Sequence, residues 1–193
     1  MVNQEDPRVL RTRQLIREAF RDLLHRKGFD AITIKDIAQE ATINRATFYA
    51  HFEDKFALLE EITEQAFHER FPEQVANAQE FTDEICNQLI LMTHQYIVDF
   101  YRICRMDSKS MATLVDDKIQ KMLQQTIESI LRGDSHHEAD RHHIKLMAAM
   151  TSSSIYEAAH YCLNVEEKNL AGGLVDIVRP YVMNGLGLYR KLH

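Results

Sequence analysis

The chain has 193 residues, 45% hydrophobic and 27% charged, with a net charge of −6. These proportions mark a soluble globular chain of one or two domains and argue against nucleic-acid binding by the whole surface. No apolar run approaches the roughly 20 residues of a membrane span, and with six Gly, three Pro and little strand-like alternation the class expected is all-α.

The first predicted helix covers residues 8–27. Ile16, Phe20, Leu23 and Leu24 fall at i, i+4, i+7 and i+8, one apolar stripe. Gly28 suits the position after a helix end, and Lys27 suits the last turn. A second helix opens at Thr33, where Asp36 three residues on resembles a capping box with Asp in place of Glu. Its inner face is Ile34, Ile37, Ala38 and Ala41. The chain breaks at 41–43. Asn44 then caps a third helix reaching about residue 52, pinned only by Phe48 and Phe52. Asp54 caps a fourth, which ends at or just before Pro72.

Residues 73–81 carry no clear pattern. Longer helices are predicted over 82–104, 110–131, 139–163 and 166–186, with a loop at 133–135 and a kink at Pro180. The three cysteines, Cys86, Cys104 and Cys162, are scattered and odd in number. They read as small core residues in a reducing cytoplasm, and the N-terminal stretch has no apolar core of a signal peptide.

Charge is divided unevenly. Residues 8–52 hold nine Lys/Arg and five Asp/Glu, a net of +4, so the rest of the chain carries −10. A basic head on an acidic body places any polyanion contact at the head.

Two short helices joined by a tight turn, the second capped and thinly anchored, form a helix-turn-helix. The outer face of the second is then free to enter a DNA major groove. Arg45 is the candidate base reader, because its fork matches guanine O6 and N7. Ala46 and Ala50 permit close approach. Thr47, Tyr49, His51 and Lys55 are donors suited to phosphate oxygens. Thr33, Lys35 and Asn44 complete the candidate DNA-contacting set. Arg11, Arg13 and Arg17 either graze phosphate or simply solvate the first helix.

These residues carry a resemblance. "AF..LL...GF..ITIKDIAQEA" from Ala19 and "INRATFYAHFEDK" from Ile43 resemble the DNA-binding domain of TetR/AcrR-family transcriptional regulators over residues 10–56. Thr33, Ile37-Ala38, Tyr49, His51-Phe52 and Lys55 stand where that family repeats its motif. One departure is Thr42, in a turn where the family often has Gly: either the turn differs or Thr42 bears strain.

The resemblance implies a DNA-binding domain at 8–55, a connecting helix at 56–72, and a helical effector-binding and dimerisation domain at 73–193. It further implies a homodimer on a palindromic operator, its last two helices pairing with their mates, most simply a repressor released by a small molecule. Met92, Tyr96, Met122, Met147, Met150 and Ser154 are the candidate effector-binding residues, set against the plainer reading of Met as core. The alternative is a DNA-associated protein-interaction module on the same fold.

Other chemistry finds little support. In HHEADRHH the paired histidines lie six residues apart, so one helical face does not collect them, and no metal is expected. No phosphate loop, HExxH or GxSxG is present, so neither a cofactor nor an enzymatic activity is expected.

Overall fold

The structure, a computed structural model, describes residues 6–104, 109–133, 141–163 and 170–192. Among these residues it contains nine helices and no strand: α1 (Pro7–Lys27), α2 (Ile34–Glu40), α3 (Arg45–His51), α4 (Lys55–Glu69), α5 (Glu73–Ala76), α6 (Asp83–Cys104), α7 (Lys109–Gly133), α8 (Arg141–Tyr161) and α9 (Leu170–Leu192). The all-α class follows the composition. The patternless stretch after Pro72 contains the single-turn α5. The helix starts expected at 139 and 166 lie outside the described residues, as do Asp134 and Ser135 of the expected loop.

Local chemistry sets the ends of the first helices. Asp6 accepts the Arg8 N–H at 2.8 Å and Pro7 occupies the first turn of α1, where its missing N–H costs nothing. The helix stops at Gly28, whose φ of 73° and ψ of 157° suit a residue without Cβ. Thr33 and Asp36 form the full capping box at α2: the Asp36 carboxylate accepts the Thr33 N–H at 2.9 Å and its hydroxyl at 2.7 Å. The Thr33 hydroxyl, its N–H and then the Lys27 ammonium hold the Asp36 carboxyl well below the usual carboxylate range.

The other end of α2 is a Schellman turn. Ile43 N–H donates to the Ala38 carbonyl at 2.9 Å, Thr42 N–H to that of Gln39 at 3.2 Å. This geometry needs a left-handed residue in the middle, and Thr42 supplies it at φ 56°. The sequence left two possibilities for this turn, and the structure shows the strained one.

The described residues fall into two compact units, one within 1–66 and 100–116, the other within 67–99 and 117–193. In the first, α1 packs on α2 and α2 on α3. Its core is Ile16, Phe20, Leu23 and Leu24 of α1 with Phe29, Ile32, Ile37, Phe48, Leu58 and Leu59, all nearly solvent-free. The apolar stripe read from the sequence is therefore the side of α1 that faces inward.

In the second unit, α8 packs on α9, and Ile85, Leu89, Ile97, Ile119, Leu123, Ile155 and Val182 are among the buried residues. Cys86 is fully buried there, and burial, then Asp83, pushes its thiol up to about 12. α7 ends at Gly133, where a Cβ would lie 2.9 Å from the Gln79 carbonyl oxygen. α9 runs on through Pro180. No described helix is long and apolar enough to cross a membrane.

Candidate nucleic-acid interface

α3 has seven residues, too few to be stable alone. It is fixed at its start by Asn44, whose Oδ1 accepts the Thr47 N–H at 2.9 Å and the Thr47 hydroxyl at 3.1 Å. Phe48 is fully buried and Phe52 nearly so, their ring centroids 5.8 Å apart. The opposite face is open. Arg45, Ala46, Tyr49 and Ala50 are exposed, and Arg45 makes no hydrogen bond or ion pair within the described residues. Tyr49 sets its ring edge-on to Phe48 at 5.8 Å while half of its surface stays in solvent. The outward face is thus a guanidinium, a phenol and two methyl-sized gaps on a rigid rod.

The rest of the expected set divides. Thr33 and Lys35 are exposed at the start of α2, the Thr33 hydroxyl already engaged in its cap. Thr47 is partly covered and tied to Asn44. His51 ends α3 half-buried. Burial first, and the Arg13 charge second, push its pKa down, favouring the neutral imidazole.

Lys55 is held inside the first unit. Its ammonium donates to the carbonyls of Phe29 and Ile32, each at 2.9 Å, and of Asp30 at 3.4 Å, and it lies 4.4 Å from the Phe29 ring centroid. The three donors expected to meet phosphate are committed to the loop between α1 and α2. Arg13 and Arg17 also find internal partners: both pair with Glu61 of α4. Arg11 remains exposed. No sequence signal marks these ties, because their partners lie 23 to 48 residues away.

The expected effector residues separate as well. Met92, Tyr96 and Met122 are buried, at 8%, 1% and 4% exposure, within the packing of the second unit. Met147, Met150 and Ser154 line a cavity of about 360 Å³ between α8 and α9, with Thr151, Tyr181 and Asn184 among its other walls. Of the histidine cluster, His136 and His137 lie outside the described residues and His142 and His143 are exposed. Among the described residues no His, Cys, Asp and Glu side chains group as a metal site would.

Comparison with known proteins bears on this architecture. Residues 16–62 match the sequence model of the family described as bacterial regulatory proteins, tetR family. The uncharacterized HTH-type transcriptional regulator YxbF of Bacillus subtilis (strain 168) is 42% identical over 64 residues, which are 33% of this chain and 17% of that protein. The HTH-type dhaKLM operon transcriptional activator DhaS of Lactococcus lactis subsp. lactis (strain IL1403) is 40% identical over 58 residues, 30% of this chain and 31% of that one. The chain thus spans less than a third of the length of either curated relative. Among solved structures, a dihydroxyacetone kinase operon activator DhaS superposes with a TM-score of 0.54 at 18% identity, covering 95% of this chain and 98% of that one. At that identity the likeness is one of fold, and it extends over both units.

Proposed function

We infer that this chain, a TetR-family transcriptional regulator, is a homodimer that reads a palindromic operator with α3 and represses by occupying it until a small molecule binds the second unit. The observation that carries the reading is α3 itself: one face buried through Phe48 and Phe52, the other presenting Arg45, Ala46, Tyr49 and Ala50 to solvent. Arg45 supplies the base contact, and the two alanines let the backbone approach the groove floor. Tyr49, Lys35, Thr33 and the free amide nitrogen of Asn44 supply phosphate contacts that fix register. Thr47 and His51 take a smaller share because their polar groups are partly covered.

A two-fold pair would bring two copies of α3 to successive grooves. The α8–α9 surface supports such pairing: Leu146, Met150, Ile177 and Tyr181 are all more than half exposed, and apolar patches of this kind mark association faces. The cavity lined by Met147, Met150 and Ser154 adjoins that face. It would take a compact, mainly apolar effector with one hydrogen-bonding group, acting on the pair through its geometry.

The test is selection of sites from a random duplex pool with the full chain at two salt concentrations. An inverted repeat bound about 10³-fold or more above random duplex is the expected result; binding without enrichment that fades with salt leaves only a polyanion contact. On the selected site, Arg45→Ala should cost about 1–3 kcal/mol and relax preference at one position per half-site. Unchanged selectivity would remove Arg45 from the reader's role.

The relation to an activator in Lactococcus lactis favours a second reading, in which the bound dimer recruits rather than blocks transcription. A reporter carrying the selected operator separates the two: disrupting the operator raises expression under a repressor and lowers it under an activator.

A further inference from the structure

Arg13 and Arg17 lie four residues apart on one side of α1. Both reach Glu61 of α4, Arg13 through Nη2 onto Oε2 and Arg17 through Nη1 onto Oε1 at 3.0 Å. Arg13 has a second partner. Its Nη1 donates to the His51 carbonyl at 3.0 Å, and its guanidinium carbon stands 4.5 Å from the Phe52 ring centroid. His51 is the last residue of α3, so its carbonyl is one of the four that a helix leaves without an internal donor. A guanidinium there meets both that carbonyl and the negative end of the helix dipole.

We propose that Arg13, braced by Glu61, is a positioning residue that sets the direction of the C-terminal end of α3, and through it the fit of the outward side chains to DNA, without itself touching DNA. The inference rests on the DNA-binding reading above. A carboxylate, a carbonyl and an aromatic face hold one planar group from three sides. The side chains are also withdrawn: Arg13 is 23% exposed, Arg17 18% and Glu61 27%. An arginine serving phosphate needs a head free to solvent, and this one is engaged at both amino groups. α3 has one turn on either side of Phe48 and few bonds of its own, so its tilt follows whatever holds its last carbonyl.

Glu61 separates positioning from direct contact. Glu61→Gln removes a negative charge from the domain, so charge alone predicts tighter binding to a polyanion. Loss of the brace predicts weaker binding. Arg13→Lys keeps the charge but lacks the fork that spans carboxylate and carbonyl together.

The experiment uses the full chain, the operator recovered by selection and a random duplex, over a salt series, at a temperature where circular-dichroism melts show each variant folded. Glu61→Gln and Arg13→Lys should each weaken operator binding about tenfold, as small misplacements of a reading group do. The salt slope should stay as in the unaltered chain, and the random-duplex affinity should not fall, so the loss is confined to the operator. Operator affinity unchanged or raised in Glu61→Gln overturns the proposal. So does an Arg13→Gln variant whose salt slope falls by about one per half-site, since that marks a phosphate contact. If the unaltered chain selects no operator, the DNA-binding reading fails and this role with it; if it selects one and Glu61→Gln binds it as well, only the role of Arg13 fails.

Discussion

At Thr42 one backbone angle is in conflict with its side chain. The Schellman turn that closes α2 requires a left-handed residue, and a β-branched one pays for its second heavy atom on Cβ there. Thr42 adopts φ 56° nonetheless. Thr42→Gly should therefore stabilise the first unit by roughly 0.5–1 kcal/mol, the relief of the strained angle less the added freedom of Gly in the unfolded chain. A denaturant melt of the two proteins checks this, and a lower midpoint in the variant would show that the Thr42 side chain earns a contact elsewhere. The strain was half legible beforehand: the turn could be placed from the caps on either side, but the angle at its centre depended on hydrogen bonds between residues five apart, Ala38 and Ile43.

For the elements, legibility followed the range of the interaction. Helix starts at Thr33, Asn44 and Asp54 were readable because each cap acts within three residues: Asp54 Oδ1 accepts the N–H groups of Phe56 and Ala57, both at 2.8 Å. The internal partners of Lys55 were not readable. Its position suggests a phosphate donor, and its ammonium also closes the loop after α1 through carbonyls more than twenty residues earlier. Lys55→Met keeps the stem and removes the donors, leaving two partly buried carbonyls, those of Phe29 and Ile32, without this partner. It should lower stability by about 1–3 kcal/mol and leave the salt slope of DNA binding unchanged. A melt and a salt titration give both numbers; a fall of about one in the slope per half-site would return Lys55 to the phosphate-contacting set. Similarly, the arginines of α1 carry no local sign of Glu61, which is 44 residues beyond Arg17.

For the whole molecule, composition was sufficient for the class and periodicity for most of the helices. Neither could say which methionines line a cavity. Met92 and Met150 both fall on helices at apolar spacing, yet one is 8% and the other 55% exposed, because burial depends on which helix packs against which face. The exposed apolar face of α8 and α9, formed by Leu146, Met150, Ile177 and Tyr181, is likewise a feature that helical periodicity alone does not mark. Ile177→Glu places a charge on a residue 63% exposed, so it should barely alter the fold of one chain while splitting the proposed pair. Sedimentation should show the mass halved and operator affinity should drop sharply, since each half-site then binds alone. An unchanged mass would move the pairing face elsewhere.

Within α3 the tasks are sorted by residue. Asn44 caps, Phe48 and Phe52 anchor, the His51 carbonyl is tethered, and Arg45, Ala46, Tyr49 and Ala50 do almost none of this work. Evolution can therefore rewrite the four outward positions with little loss of folding, because surface changes away from such anchors usually shift stability by only about 0.5 kcal/mol. On the proposed reading, a gene copy would acquire a new operator by drifting at those four sites while its scaffold is inherited intact, and retargeting in the laboratory would begin from the same four codons.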